Sequence, residues 1–597
     1  MKRYRRRPHV LRHNNETTMP ENFIFFDTET RPVPRGKETE LVFAVGTAIL
    51  YRRIEDYRLE YVFHSPKRFW DIVDANSRSA ASLYLIAHNV GFDFRVLKGF
   101  AALKARGFKT EKVIFNQSAN VWSFKRGSAY IHVLDNMNFF KGSLESVGQS
   151  IGFPKTKMPD ISENEALIEY CMNDTRIIFN AWLKLLEFLT VNDLGNFSKT
   201  VAGQAFNAFR HRFMKEKIYI HDREAATNLE REAYRGGRTE CFRIGKMPRV
   251  EYRMLDVNSM YPSVMRDETY PVKLIGGISS LSDAVKCMDA GQGVIVKVLL
   301  DMKTNVFGIK KDGKLIFPVG VFEAVLTTRE LKYALMCGSV REFREGYVYE
   351  MKNIFKEYVD FFYGKKRQYA EAGNTAFCYL CKIFLNSLYG KFGQRNEIYE
   401  NVGYTDSSDG VEEFYDTDKS MMVKRRIING SIQESIGYRE GYESFCAIAA
   451  HVTADARMKL WNLFLVAGDA NVFYCDTDSV IVNERGAKRL FPFIGKELGM
   501  LSEKEKSTTL AIYGNKDYVF GKTETMKGVK KNAVRVGKNE FEQDIFEGMA
   551  GAIRNGRLNR MMIHRMRKVL KRTYDKGDVL KDGRVEPFRL TFQESVL

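Results

Sequence analysis

Two apolar runs in this chain stop abruptly on paired carboxylates spaced one residue apart, and this limits the possible folds more than any other feature of the sequence. Phe23-Ile24-Phe25-Phe26 runs into Asp27-Thr28-Glu29-Thr30, and a second apolar stretch runs into Tyr474-Cys475-Asp476-Thr477-Asp478-Ser479-Val480. A short continuous apolar run reads as a strand buried on both faces. In a strand, residues i and i+2 point to the same side. Each pair therefore crowds two negative charges, which is unfavourable unless a bound cation compensates them. For Tyr474–Val480 a polar hairpin tip is the other reading, because Asp and Ser suit turns.

Further segments repeat the theme. Leu255-Asp256-Val257-Asn258-Ser259-Met260-Tyr261-Pro262 again places an acid at the end of an apolar strand, followed by a turn. Leu83-Tyr84-Leu85-Ile86-Ala87 predicts another buried strand, ending in His88-Asn89-Val90-Gly91-Phe92-Asp93. A helical stretch from about Asn164 to Leu186 carries Tyr170 and Asp174, which as i and i+4 share a face. Lys382 and Asn386, in Lys382-Ile383-Phe384-Leu385-Asn386-Ser387-Leu388-Tyr389-Gly390, have the same spacing and put a cation beside a polar group. The glycines of Tyr234-Arg235-Gly236-Gly237 permit positive φ or close backbone approach, as would also suit an ordinary hairpin loop.

In their order along the chain, the segments at Asp256, Lys382 and Asp476 resemble the polymerase motifs DxxS(L/M)YP, KxxxNSxYG and YxDTDS of family B DNA polymerases. Ahead of them, Asp27 with Glu29, Asn89 to Asp93, and Tyr170 to Asp174 resemble the DxE, Nx(2,3)(F/Y)D and YxxxD motifs of that family's proofreading domain. Tyr234, Gly236 and Gly237 match its YxGG motif, which contacts template, and Lys516 with Tyr518 match its KxY motif.

The resemblance implies an α/β and α+β multidomain chain, with a ribonuclease-H-like 3′→5′ exonuclease domain followed by a right-hand palm, fingers and thumb. It also implies two Mg²⁺ ions per active site, with Mn²⁺ able to substitute. Asp256 and Asp478 would be the metal bridges of the polymerase centre, with Asp476 beside them and the Val257 carbonyl as an extra ligand. Lys382 would hold the triphosphate, with Lys366 or Arg367 as weaker candidates for the same task. Tyr389 would stack near the nascent base pair, and Tyr261 would pack under the sugar and exclude a ribose 2′-hydroxyl. Asp27, Glu29, Asp93 and Asp174 would hold the exonuclease metals, with Tyr170 orienting the attacking water. Thr30, Asn89 and Phe92 would bind the frayed primer end. Ser143-Leu144 matches a single-strand-binding motif of the family, assisted by Lys155 or Lys157.

The stretches between Tyr261 and Lys382 and between Gly390 and Asp476 are longer than a minimal palm and fingers need. They fit the two insertions of the protein-primed branch, which starts synthesis from a terminal protein and displaces the strand ahead. The expected layout is a basic arm (1–20), exonuclease domain (21–195), first part of the palm (196–299), insertion 1 (300–360), fingers (361–391), insertion 2 (392–440), second part of the palm (441–535) and thumb (536–597).

Length and composition agree. A chain of 597 residues exceeds one ordinary core. Its net charge of +19 implies a polyanionic partner, nucleic acid above all. The expected partners are DNA template and primer, deoxynucleoside triphosphates, a terminal protein as primer and a single-stranded DNA-binding protein, with no membrane: no apolar run of about 18 residues and no lipidation motif is present. Of the eight scattered cysteines only Cys378 and Cys381 form a CxxC, read as small apolar helix residues. An intracellular location in the host cytoplasm follows. The basic start, Met1-Lys2-Arg3-Tyr4-Arg5-Arg6-Arg7, reads as a disordered phosphate-binding arm rather than as part of an organellar presequence, because it lacks an amphipathic helical period, and the Arg- and Lys-rich stretch from Arg554 to Arg572 as a solvated helix face or a thumb stripe along duplex phosphates.

Three other functions compete. A plain nuclease leaves the later motifs unused, and a catalytically silent DNA-binding accessory protein predicts losses at Asp256, Asp478 or Lys382, all of which are present. A conventionally primed family B polymerase differs only in how synthesis starts.

Overall fold

The computed structural model describes residues 6–77, 82–115, 119–160, 164–417 and 420–591. The run Phe23–Phe26 lies in the strand Asn22–Arg35, inside a ten-stranded sheet. This strand runs parallel to Leu83–Ala87, which is parallel in turn to Ala129–Asp135, and antiparallel to Glu38–Arg52. Alternate side chains take opposite faces. Phe23 and Phe25 turn toward the helix Asn164–Val191, with rings 6.1 and 6.3 Å from Trp182, whereas Phe26 meets Phe69 at 4.9 Å on the other side. Both faces are covered, so the run is apolar at every position; each such side chain contributes about 1.5–3 kcal/mol by leaving water.

The second apolar stretch forms the strand Val472–Asp476, in a five-stranded sheet with Thr239–Cys241, Ser479–Asn483, Tyr252–Val257 and Leu501–Ser507. Behind it runs the helix Cys446–Ala467, mostly apolar and buried along nearly its whole circumference, with Arg457 paired to the buried Glu330. A helical hairpin, Lys356–Glu371 and Thr375–Phe392, stands beside this sheet. It turns at Gly373 (φ +70°), and Asn374 caps the second helix by accepting from the Phe377 N–H at 3.0 Å.

Two further sheets lie between these motifs in sequence. One joins Tyr270–Ile278, Val340–Lys352, Gly293–Met302, Val319–Thr327 and Arg589–Leu590. The other is a four-stranded antiparallel sheet of Arg395–Tyr404, Ser431–Glu440, Met421–Ile428 and Gly410–Asp416, closed at its base by pairing of Arg395 with Glu440.

Several expectations change. Residues 1–5 of the basic arm lie outside the described residues, but residues 6–20 are not a free arm: His9–Val10 pairs with Tyr219–Ile220, Leu11 is 2% exposed, and the Arg6 guanidinium donates to the Ser444 carbonyl at 2.6 Å. The stretch Arg554–Arg572 is not a helix stripe. Its centre is the strand Met561–Val569, and its arginines face acids: Arg557 with Glu38, Arg560 with Glu40, Arg565 with Asp544 and Arg567 with Glu540. Met561–Val569 pairs with Glu38–Arg52 and with Glu540–Phe546, so the C-terminal segment extends the N-terminal sheet. A boundary at 300 falls inside the strand Gly293–Met302, one at 360 inside the helix Lys356–Glu371, and one at 536 inside the strand Val534–Gly537.

Candidate active sites

Asp256 and Asp476 both pair with Ser479, from the strands on either side of it, and so stand at one end of their sheet. Asp478 arrives by a different route from the expected strand alternation. It sits in a two-residue hairpin turn with Thr477, whose φ is +62°, and its carbonyl accepts from the Val257 N–H at 2.8 Å. A β-branched residue in the left-handed region costs about 1–3 kcal/mol. The turn is held from below, since the Thr477 N–H donates to the Arg238 carbonyl at 2.7 Å.

Gly237 explains the paired glycines. Its φ is not positive; instead, a Cβ there would come within 2.7 Å of Thr477 Cγ2 and 2.9 Å of the Tyr261 hydroxyl. Gly236 is fixed through its carbonyl, which accepts from Arg457 at 3.1 Å, and Tyr234 packs against Gly393.

Burial, with Asp256 adjacent, pushes the Asp478 carboxyl up to about 6. Lys504 Nζ is 3.6 Å from Asp256, and Lys516 Nζ is 3.6 Å from Asp476. Tyr518 lies 5.3 Å from the ring of Tyr474, which anchors the Lys516 backbone through its hydroxyl.

Lys382, Asn386 and Tyr389 share the helix Thr375–Phe392. Lys366 lies on the neighbouring helix rather than earlier on the same one, and it donates to Ser259 at 3.0 Å. Burial lowers its ammonium, with Lys382 and Lys504 adding repulsion and Asp256 opposing. Arg367 faces Glu497, its guanidinium 3.8 Å away. Tyr261 stacks on Tyr389, and burial pushes its hydroxyl up to about 12.

The N-terminal carboxylates form a second centre. Asp27 and Glu29 project from Asn22–Arg35 just before its bulge at Thr30. Asp93, on the short helix Val90–Val96, accepts from the Thr28 N–H at 3.1 Å and the Thr28 hydroxyl at 2.7 Å. Asp174 is 3% exposed and ion-paired with Lys155, whose ammonium also lies 4.6 Å from the Tyr170 ring.

Burial is the largest cause of every carboxyl shift here. It raises Glu29 to about 7 and Asp93 to about 8, and with three carboxylate neighbours it holds Asp27 well above its ordinary range. Burial lowers Lys155, but hydrogen bonds to Asp174 and Tyr170 outweigh it and raise the ammonium. Asn89 has left-handed φ (+63°), its N–H bound to Asp135 at 2.9 Å and its side chain uncommitted to capping.

Both centres fit hard divalent cations. Among the described residues the buried Asp174 Oδ1 has no hydrogen-bond partner, and the donors of each cluster include carboxylate oxygens with mutual repulsion to relieve.

Two expected strand-binding residues also have contacts within the fold. Ser143 caps the helix Leu144–Ile151 by accepting from the Ser146 N–H at 3.2 Å, and Leu144 is buried in the core. Conversely, sequence reading missed Lys504 and Cys171. Among the described residues, the one triad of His, Cys, Asp or Glu ligand atoms lying within 4.8 Å of each other is Asp27, Glu29 and Cys171. Its signal was present: Cys171 precedes Asp174 by three residues and so shares its helix face.

Between the N-terminal sheet, the helix Thr375–Phe392 and the four-stranded sheet lies a groove of about 1350 Å³, lined by Lys112, Lys199, Lys391, Lys424, Arg426 and Arg554 among others.

The family of DNA polymerase type B, organellar and viral, matches residues 154–449. A probable DNA polymerase of Neurospora intermedia is 26% identical over 337 residues, covering 53% of this chain and 34% of that protein. The DNA-directed DNA polymerase of Enterobacteria phage PRD1 is 25% identical over 327 residues, covering 54% of each. The chain thus spans 34% and 54% of these relatives' lengths. Phi29 DNA polymerase complexed with primer-template DNA and incoming nucleotide substrates superposes with a TM-score of 0.64 at 17% identity, covering 92% of this chain and 100% of that one. The multidomain fold is therefore of that kind.

Proposed function

We propose that this chain is a DNA polymerase of type B, of the organellar and viral kind whose family model matches residues 154–449, and that it copies DNA from a protein primer and proofreads its product with a 3′→5′ exonuclease. The observation that carries the reading is the convergence of Asp256, Asp476 and Asp478 around Ser479, with Lys366 and Lys382 facing them. In this reading the N-terminal sheet with Asn164–Val191 is the ribonuclease-H-like exonuclease. The sheet carrying Asp256 is the palm, the helical hairpin is the fingers, and the C-terminal strands form the thumb.

Asp256 and Asp478, with the Val257 carbonyl, would hold Mg²⁺ or Mn²⁺ at the polymerase centre, and Asp27, Glu29, Asp93 and Asp174 would hold it at the exonuclease centre. When bound, such ions activate the attacking oxygen and neutralise charge on the leaving group. Lys382 and Lys366 supply fixed positive charge to the triphosphate, so that the primer hydroxyl attacks the α-phosphate and pyrophosphate departs. Tyr261, braced by Tyr389, closes the space beside C2′ of the incoming sugar. At the other centre Tyr170 orients water toward the terminal phosphodiester, while Thr30, Asn89 and Phe92 hold the frayed end. Lys155 neutralises Asp174 until the centre is occupied.

The basic groove suits a single DNA strand, since its lysines and arginines can track phosphates. The four-stranded sheet bordering it would part the duplex ahead, and a terminal protein would supply the first hydroxyl. A single-stranded DNA-binding protein would cover the displaced strand.

The test combines two assays: Mg²⁺-dependent extension of a primed template, and transfer of a labelled deoxynucleotide to a small protein encoded beside this gene. Failure of the first overturns the polymerase reading; success of the first without the second leaves a conventionally primed enzyme.

A further inference from the structure

We propose that Cys171 makes the N-terminal carboxylate centre a selective trap for soft divalent cations, with Cd²⁺ or Zn²⁺ held by its sulfur together with Asp27 and Glu29 in place of the all-oxygen set suited to Mg²⁺. The inference rests on the reading of this cluster as a metal centre.

Three observations carry it. The ligand atoms of Asp27, Glu29 and Cys171 all lie within 4.8 Å of one another, and Sγ is 3.5 Å from Asp27 Oδ2. The thiol is fixed in place: it is fully buried, accepts from the Thr47 hydroxyl at 3.3 Å and lies 3.5 Å from the Asp27 carbonyl. Finally, Asp174, one turn along the same helix and 3% exposed, presents an oxygen with no partner among the described residues, and its charge acts on both Asp27 and Glu29.

A soft cation prefers sulfur, whereas Mg²⁺ takes oxygen ligands. On capture the S–H bond breaks, its proton passes to water and a sulfur–metal bond forms, with no change of oxidation state. The polymerase centre offers no equivalent: Cys475 adjoins Asp476, but its sulfur turns toward the Arg238 carbonyl, 3.8 Å away, as strand alternation requires. Soft cations would therefore stall degradation before synthesis.

The experiment titrates Cd²⁺ into the metal-free full chain and follows the ultraviolet sulfur-to-cadmium charge-transfer band, with calorimetry for Cd²⁺ and Mg²⁺ in parallel. Subtracting the Cys171→Ser spectrum cancels the other cysteines. A band that is lost in Cys171→Ser and in Asp27→Asn, with the ratio of Cd²⁺ to Mg²⁺ affinity falling at least ~10-fold in Cys171→Ser, supports the proposal. Cys171→Ala, with folding checked by circular dichroism, repeats the test should the serine variant misfold. A band unchanged in both cysteine variants, or Cd²⁺ binding without a Cys171-dependent band while Mg²⁺ still binds through Asp27 and Glu29, overturns it. If neither cation requires Asp27 and Glu29, the exonuclease metal centre itself fails, a distinguishable result.

Discussion

The rings of Tyr261 and Tyr389 stack 5.2 Å apart with their planes within 16°, joining the helix that follows Asp256 to the helix that carries Lys382. Such a pair contributes about 0.5–1.5 kcal/mol beyond its buried area. It also fixes Tyr261 as a rigid wall beside the carboxylates. Tyr261→Val should therefore gain ribonucleotide incorporation relative to the parent, measured by competing ribo- and deoxynucleotides at one template position. Unchanged selectivity would assign the gate to another side chain.

The two carboxylate centres stand on different sheets, so their losses should separate. Asp256→Ala or Asp478→Ala removes several kcal/mol of charge stabilisation, on the order of 10³-fold in extension rate, and should leave degradation of single-stranded DNA in place. Asp27→Ala with Glu29→Ala should do the reverse. Loss of both activities in a folded variant would contradict the assignment.

Burial raises Glu29 from 4.5 to about 7 and Asp93 from 3.8 to about 8. Between those limits the folded protein keeps protons that the unfolded chain has released. The stability this gives is complete below the ordinary values and is lost as pH rises through the raised ones. The metal-free protein should therefore melt at a lower temperature at pH ~8.5 than at pH ~6, and Mg²⁺ should stabilise it more at the higher pH, where the carboxylates are free to bind. Thermal denaturation with and without Mg²⁺ at both pH values checks this. A metal-free protein that gains stability across the window would refute it.

Arg95 is 1% exposed, two residues from Asp93, and donates to Glu547 at 3.1 Å and to the Arg557 carbonyl at 3.4 Å. It thus ties the helix carrying Phe92 and Asp93 to the C-terminal segment. Arg95→Met would strand the buried Glu547 charge and should cost about 3–5 kcal/mol. Urea denaturation would measure it, and a loss under about 1 kcal/mol would show that the pair is dispensable.

The four-stranded sheet closes on itself where Arg395 meets Glu440, so residues 396–439 can be replaced by a short glycine linker. The shortened enzyme should fill a single-stranded gap yet stop at a downstream duplex. A primed circle with and without a blocking strand provides the measurement. Passage through the block at the parental rate would remove strand displacement from this sheet.

Much of the site was legible in the sequence because its parts are local. An apolar run ending in Asp27 and Glu29 specifies a doubly covered strand with both acids on one side, and the i, i+4 spacing of Tyr170 with Asp174 and of Lys382 with Asn386 fixes shared helix faces. Such relations follow from backbone periods alone.

What tertiary structure alone decided were contacts between distant segments. The Asp478 carboxylate reaches Asp256 through a hairpin turn that Gly237 must approach too closely for any side chain, and nothing near either segment announces the other. Lys366 was brought beside Ser259 by the packing of the helix Lys356–Glu371 against the helix that follows Asp256, and Arg6 and Leu11 were drawn out of a basic run by a strand partner beyond residue 215. Cys171 became a candidate ligand because the Asn164–Val191 helix lies across Asn22–Arg35. Helix spacing could give its face, but only packing could set a sulfur beside two carboxylates.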